Sequence, residues 1–298
     1  MEEKMLVEEH ISSNKRDTVV ICFFMMLLLL GFIMAVGLVM GLPPVIAMMF
    51  GIPIVLVYIG ITYSFSVQSV LKAAKARPAN PNVREEKLLI YKVEEMALAA
   101  GMPVPQVYVQ DSENINAFAT GKSPEEAVIC CTTGALRLLN EEELEGVMAH
   151  EMSHIRNYDI RVMTVTIGVV GAISLVAEIL FWMFFWGGGR GRRDANPALI
   201  IAAVVLIILA PIFARLTYLA ISRKREYLAD ASGAYLTRNP EGLAAALEKI
   251  KQDIPDDPKG SKTVAPLYIS NPFKRSHRDS IWSTHPPIDE RIARLRNM

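Results

Sequence analysis

Cysteine and net charge are both scarce in this sequence. Its 298 residues include only three cysteines, and no C-x-x-C pair occurs. An odd count in which Cys130 and Cys131 are adjacent argues against a disulfide framework and suits a reducing compartment. The 31 basic residues are balanced by 31 acidic ones. Composition therefore gives no electrostatic case for binding nucleic acid, and no nucleic-acid partner is expected.

Charge is absent from long stretches of the chain as well. Residues 18–65 carry no charged side chain and are interrupted only by Pro43-Pro44. Two more apolar runs lie within 163–214, on either side of a Gly/Arg-rich loop. At 1.5 Å per residue, each run is long enough to cross a hydrocarbon core about 30 Å thick. The sequence therefore predicts about four transmembrane helices in two hairpins, at 18–65 and 163–214. Glu178, inside the third run, should face a helix partner or the interface because a carboxylate in lipid is costly.

The remaining residues predict a soluble domain made of two pieces, 72–160 and 215–298, preceded by a polar tail at 1–17. Most Lys and Arg residues near the apolar runs lie on the side that carries these pieces, so both termini and the soluble domain are predicted to be cytoplasmic. Three arginines in the Gly/Arg-rich loop oppose this rule: Arg190, Arg192 and Arg193. They leave open whether the second hairpin fully crosses the membrane.

Secondary-structure signals in the soluble pieces predict an α+β fold that is mostly helical with a small sheet. Asn82 and Glu85 form the pattern of a capping box that opens a helix ending at Gly101. Three short strands are predicted after it, at 106–110, 114–119 and 127–132. Thr133 is predicted to cap a short helix. Further helices are predicted at 215–236 and 241–253, and a short helix closes the chain.

One stretch carries a chemical motif: His150-Glu151-Met152-Ser153-His154 reads H-E-x-x-H. Asn140 and Glu143 predict a second capping box just before it, so the motif lies on a helix. Two histidines four residues apart face the same side of that helix and can bind one metal ion, usually zinc. Glu151 can then take a proton from the attacking water and return it to the leaving amine. The motif predicts a zinc peptidase.

A catalytic zinc ion usually has three protein ligands, so one ligand remains to be found. The candidates are Glu226, Asp230 and His285. Glu226 and Asp230 share a helix face, which offers one carboxylate to the metal and a second to the N–H of a ligand histidine. The alternative is a charged, solvated helix face. The missing ligand of the two-histidine site favours Glu226.

Several segments together resemble the HtpX family of membrane zinc metalloproteases and, more distantly, the CaaX prenyl proteases. The similarity runs over nearly the whole chain and rests on INAFATG (115–121), HEMSH, SRKREYLADASGA (222–234) and STHPP (283–287). It implies a zincin-like metalloprotease domain with one Zn2+ per chain. It also implies His150, His154 and Glu226 as zinc ligands, Glu151 as general base and Asp230 as the support of a ligand histidine.

Two further residues are candidates for handling the substrate. The resemblance puts Asn116 on a strand that borders the cleft, where it could hold the backbone of an added substrate strand. His285 could donate to the oxyanion that forms during hydrolysis. His285 could equally brace the turn at Pro286-Pro287, and both roles stay open.

The function implied by the resemblance is quality control in the cell membrane, by cleavage of misfolded or damaged membrane proteins at the cytoplasmic face. The expected partners are polypeptide substrates and the lipid bilayer. A CaaX-type processing protease and a non-enzymatic scaffold stabilised by zinc are the alternatives. An intramembrane protease is disfavoured because the motif helix begins with acidic residues, Glu141, Glu142, Glu143 and Glu145.

Overall fold

The computed structural model describes residues 42–161, 225–253, 267–270 and 285–298, together with isolated positions between 23 and 37 and at 178 and 223. The chain divides into two compact units. One comprises Met1–Ser64 and Val165–Tyr218, and the other Phe65–Thr164 and Leu219–Met298. The predicted tail at 1–17 lies outside the described residues, and so does 163–214 apart from Glu178, which is helical and exposed. The predicted domain boundaries stay predictions.

The first unit contains the helix α1 (Pro44–Ser64), which coincides with the second predicted apolar run. Large apolar side chains on α1 are more than half exposed, among them Val45, Met49, Phe50 and Val57. Of the helices that the structure describes, none satisfies both the length and the apolarity needed to cross a membrane. The predicted number of four membrane helices stays a prediction.

The second unit begins with α2 (Ser66–Ala74) and contains a four-stranded mixed sheet. Its strands are β1 (Arg77–Pro78), β2 (Gln106–Gln110), β3 (Ala117–Thr120) and β4 (Val128–Thr132), in the order β1-β2-β4-β3. β2 and β4 are parallel, whereas the other two pairs are antiparallel. β3 is an edge strand and starts three residues later than predicted, at Ala117 rather than at residue 114.

Helices cover the sheet and form most of this unit, which confirms the predicted mostly helical domain with a small sheet. They are α3 (Arg84–Ala100), α4 (Thr133–Leu138), α5 (Glu141–Arg156), α6 (225–237), α7 (Pro240–Gln252) and α8 (Ile288–Arg296). α5 is the central helix and packs against α3, α7 and β3. Every residue of α5 from Glu143 to Ile155 is buried except Glu145. Apolar burial of this extent dominates the stability of a helix in a core.

The predicted N-terminal capping box is present at α5 and absent at α3, although α3 ends at Gly101 as predicted. At α5, the Asn140 side chain accepts the N–H of Glu143 at 2.9 Å and the Glu143 carboxylate accepts the N–H of Asn140 at 2.8 Å, which confirms the capping box. At α3 the predicted box of Asn82 and Glu85 is wrong, because Val83 is the N-cap and makes no side-chain cap.

Competing local hydrogen bonds explain the failure at α3. The N–H of Asn82 donates to the side chain of Asn80, and the N–H of Asn80 donates to Glu86 rather than to Glu85. An asparagine side chain that binds the backbone two residues on favours a turn over a cap. At α4 the cap is Thr132, whose hydroxyl accepts the N–H of Ala135, and not the predicted Thr133.

A short segment, Leu267–Ser270, lies against the outer edge of β3. The N–H of Ile269 donates to the carbonyl of Ala117 at 2.9 Å. Tyr268 is buried, its ring packs edge-on against Phe118, and its hydroxyl donates to the side chain of Gln110. The segment is therefore a fixed part of the core beside the edge strand.

Candidate active site

The two motif histidines of α5 point their ring nitrogens at each other. The Nε2 atoms of His150 and His154 are 3.2 Å apart, and both rings are buried. From α6, Glu226 brings its carboxylate to 3.5 Å from Nε2 of His154 and 3.8 Å from Nε2 of His150. Glu226 thus lies beside two histidines that precede it by at least 72 residues in the sequence, and the three side chains form one buried cluster.

α6 reaches α5 closely because Gly233 faces the motif helix. A Cβ at Gly233 would stand 3.0 Å from the backbone nitrogen of His150, which is tighter than ordinary contact. Glu226, Asp230 and Gly233 are spaced at i, i+4 and i+7, so they share one face of α6. The glycine permits the close approach that brings the two carboxylates to the histidines.

Asp230 supports His150 from behind. Its Oδ1 atom is 3.0 Å from Nδ1 of His150. Arg291 of α8 then binds Asp230 through two hydrogen bonds, 2.8 Å from Nε and 2.7 Å from Nη2. Nη1 of Arg291 lies 3.1 Å from Glu226. No local sequence pattern indicated Arg291, although three buried acids on two helices require a buried cation.

A second carboxylate, Asp159, supports His154. Its Oδ2 atom is 3.0 Å from Nδ1 of His154, and both side chains are buried. Between them, Tyr158 has a φ of +60°, in the left-handed region that costs roughly 1–2 kcal/mol for a residue with a Cβ. Arg225 of α6 approaches Asp159, with Nε 3.9 Å from Oδ1. No local sequence pattern indicated Asp159 or Arg225 either.

These contacts decide which atoms are available to a metal ion. Because carboxylates face Nδ1 of both histidines, the Nδ1 atoms carry the protons and the Nε2 lone pairs face inward. The two Nε2 atoms, 3.2 Å apart beside a carboxylate, converge on one point, which a proton on His154 or a metal ion can fill. His150, His154 and Glu226 offer ligand atoms within 4.8 Å of one another, which fits a metal ion. The geometry of the cluster suits the predicted ligand set.

Glu151 lies between the two histidines in sequence and is buried. Burial of its carboxyl group has a larger effect on the pKa than the backbone N–H of Ala119 on β3, which lowers that pKa. Burial raises the pKa of Glu151 to about 7. A carboxyl group with a pKa near neutrality can both accept and release a proton, as a general base requires.

The ionic network sets the charge of the other groups. Burial alone would raise the pKa of Glu226, but His285 and Arg291 hold that pKa well below its usual range. Burial would likewise raise the pKa of Asp230, yet Arg291 and His150 lower it. Both carboxylates are therefore ionised at neutral pH and available as a metal ligand and as a histidine support.

The remaining predicted residues lie at the rim of the cluster. His285 is buried, and its Nδ1 is 3.1 Å from Glu226. The Asn116 amide donates to the carbonyl of Ser270 at 2.8 Å and accepts the N–H of Ala117. Asn116 thus holds a peptide backbone within its own chain. The substrate role of Asn116 and the oxyanion role of His285 stay predictions.

Comparison with known proteins agrees with this geometry. Residues 84–298 match the sequence profile of "Peptidase family M48". A "Protease HtpX homolog" of Streptococcus uberis is 43% identical over 97% of this chain and 99% of its own. The chain belongs to peptidase family M48. Another M48-type relative, a "Protease HtpX homolog" of Caldanaerobacter subterraneus, is 47% identical over 82% of each chain. The predicted family and the predicted metalloprotease activity are thereby confirmed.

A solved structure also aligns with this M48 chain. The crystal structure of S. mikatae Ste24p superposes with a TM-score of 0.43 at 21% identity, over 85% of this chain and 64% of the other.

Proposed function

We propose that this M48 metalloprotease is a zinc endopeptidase of the cell membrane that degrades misfolded or damaged membrane proteins at the cytoplasmic face. The observation that carries the zinc assignment is the convergence of two Nε2 lone pairs and the Glu226 carboxylate, with Glu151 adjacent. Two imidazoles and one carboxylate form a donor set that zinc prefers in hydrolytic enzymes. His150, His154 and Glu226 are the proposed ligands.

Zinc, when bound, supplies a Lewis acid that polarises the scissile carbonyl and lowers the pKa of water. The chain supplies the proton transfers. Glu151 takes the proton of the attacking water and then delivers it to the departing nitrogen. His285 donates to the oxyanion of the tetrahedral intermediate. Asp230 keeps the proton of His150 on Nδ1.

Membrane attachment is supported by α1 and by the sequence around it. A helix that exposes Val45, Met49, Phe50 and Val57 to its surroundings is unfavourable in water and favourable in lipid. The uncharged run at 18–65 supplies two consecutive segments of spanning length. The excess of Lys and Arg beside the soluble pieces supports a cytoplasmic active site.

The decisive experiment for the peptidase is cleavage of casein, a loosely folded polypeptide, by the detergent-purified full chain with zinc. Wild type is expected to cleave it. Glu151→Gln is expected to lose activity by about 10²–10⁴-fold while keeping one zinc ion per chain, because only the proton acceptor is removed. Equal cleavage by both proteins would overturn the role of Glu151. Zinc binding without cleavage of casein would favour a narrower substrate or a structural zinc site.

A second experiment tests the substrate class and the orientation. The orientation is tested in inverted membrane vesicles, whose cytoplasmic face is outside. A second, soluble protease added to these vesicles should remove a tag from the C-terminus of this chain. Vesicles that contain a destabilised membrane protein should lose it faster than its stable parent, and only with active enzyme. A tag protected in inverted vesicles, or equal loss of the two membrane proteins, would contradict the proposed orientation or the quality-control role respectively.

A further inference from the structure

His154 has its own carboxylate partner, separate from the one that supports His150. Asp159 Oδ2 is 3.0 Å from Nδ1 of His154, and Asp159 is fully buried. A buried carboxylate facing the outer nitrogen of an imidazole fixes the tautomer and the ring orientation of that imidazole. The contact leaves Nε2 of His154 directed at the Nε2 of His150.

The chain has to leave the helix to make this contact. On a continuous helix, a residue five positions after His154 would lie about 140° around the axis and about 7.5 Å along it, out of reach of the ring. α5 ends at Arg156, Asn157 is its C-cap, and Tyr158 adopts its left-handed conformation there. The turn brings Asp159 back to His154. Helices often end with a residue in this region, as Lys75 does at the end of α2, and here the helix end returns the chain toward His154.

Asp159 is also connected to the helix that carries the third candidate ligand. Nε of Arg225 lies 3.9 Å from Oδ1 of Asp159, and Nη1 of Arg225 lies 3.5 Å from its backbone carbonyl. Arg225 immediately precedes Glu226 in the sequence. The contact therefore joins the support of His154 to the segment that bears Glu226.

We propose that Asp159 is a positioning residue for the metal site, which holds the Nδ1–H of His154 so that Nε2 is presented to the metal, while Arg225 ties Asp159 to α6. This inference rests on the proposed zinc site. It assigns a role to a residue outside the H-E-x-x-H motif, which the turn at Tyr158 brings within reach of His154.

The test compares zinc affinity in the detergent-purified full chain, measured by competition with a chelator, and the visible spectrum of the cobalt-substituted protein. Asp159→Ala is expected to bind zinc about 10- to 100-fold more weakly and to change the cobalt spectrum, because the imidazole loses its orientation. Asp159→Asn keeps an acceptor oxygen, so its affinity is expected to lie between those of wild type and Asp159→Ala.

Glu143→Gln is the matched control. Glu143 is also a buried carboxylate with a cationic partner, since Lys249 lies 2.6 Å away, but it caps the far end of α5. The control is expected to lower the thermal stability and to leave the zinc affinity and the cobalt spectrum unchanged. A purely structural Asp159 would behave like this control.

A folded Asp159→Ala protein with wild-type zinc affinity and a wild-type cobalt spectrum would overturn the proposal. If Asp159→Ala does not fold, Asp159→Asn decides: several-fold weaker zinc binding with an altered spectrum supports the proposal, and wild-type values overturn it. Failure of the proposed function has a different signature, because wild type would then bind no zinc, or bind it and cleave nothing, whatever the Asp159 variants do.

Discussion

His150 and His154 lie one turn apart on the same helix, yet the structure supports them in different ways. Behind His150, Asp230 is bound by Arg291 through two hydrogen bonds of 2.7 and 2.8 Å. Behind His154, Asp159 has Arg225 no closer than 3.5 Å. We call the pair of Asp230 and Arg291 the first support and the pair of Asp159 and Arg225 the second support.

The difference lies in what each arginine connects. Arg291 contacts Asp230 and Glu226 together, so the first support couples a histidine to a proposed ligand through one cation. Arg225 lies farther from Asp159 than Arg291 lies from Asp230, so it compensates the negative charge of Asp159 less. Burial lowers the pKa of His150, whereas Asp159 and Glu226 outweigh burial at His154 and raise its pKa to about 9. Burial thus keeps His150 neutral although Asp230 raises its pKa, whereas Asp159 and Glu226 leave His154 charged in the absence of metal.

The largest effect is expected from breaking the first support. Arg291→Met leaves Asp230 and Glu226 buried without their cation, which should lower the free energy of unfolding by about 3–5 kcal/mol. Arg225→Met should cost clearly less, because Asp159 still faces the charged ring of His154. Thermal unfolding of the metal-free proteins in detergent measures both losses. Equal losses would mean that the two supports do not differ in strength.

A smaller effect of opposite sign is expected at Glu151, which belongs to neither support. Its pKa in the folded protein, about 7, lies above the ordinary value of 4.5. A raised carboxyl pKa stabilises the fold below pH 4.5, and this stabilisation is lost as the pH rises through 7. At pH 8, Glu151→Gln should therefore stabilise the metal-free protein by about 3 kcal/mol relative to wild type. At pH 4.5 the two proteins should unfold alike, and a pH-independent difference would contradict this account.

Zinc binding should reveal the difference between the histidines directly. Because His154 is protonated up to about pH 9 without metal, binding must displace its proton. The zinc affinity should rise about tenfold per pH unit between 7 and 8.5, with one proton released per ion. Titration calorimetry in two buffers of different ionisation enthalpy counts that proton. An affinity that does not change with pH in this range would contradict the raised pKa of His154.

The smallest effect is expected from an arginine outside both supports. Arg296 on α8 binds Glu241 and Glu248 of α7, but all three side chains are exposed. Exposed ion pairs are screened by water and contribute little. Arg296→Ala should leave the zinc affinity unchanged and shift the melting temperature only slightly. A loss comparable to that of Arg291→Met would show that α8 acts through helix packing and not through the buried charge.

The sequence predicted those parts of the site that depend on local geometry. Helical spacing alone puts His150 and His154 on one face, and the capping residues Asn140 and Glu143 start that helix as predicted. Glu226 and Asp230 were found because they share a face of one helix. Each inference needs only the period of a helix and the known needs of a metal site.

The residues that were missed depend on tertiary contacts or on unusual backbone. Asp159 reaches His154 only through the left-handed turn at Tyr158, where the sequence offers neither glycine nor asparagine. Arg291 lies on a helix whose place beside Asp230 no local pattern indicates. The predicted cap at Asn82 is absent because the side chain of Asn80 accepts the backbone N–H of Asn82, which the predicted capping box assigns to Glu85. The one sign of a residue such as Arg291 was the number of acidic residues expected to be buried together, because they require a buried cation.

The contact between Ile269 and Ala117 has a consequence for solubility. An edge strand with free backbone groups is a template on which other chains can pair and aggregate. On β3, the carbonyl of Ala117 accepts the N–H of Ile269, and the N–H of Ala117 donates to the side chain of Asn116. Fewer backbone groups of this edge are thereby left to pair with another chain. We expect the protein to tolerate concentration in detergent without the strand-to-strand self-association that a bare edge beside a protease cleft would invite.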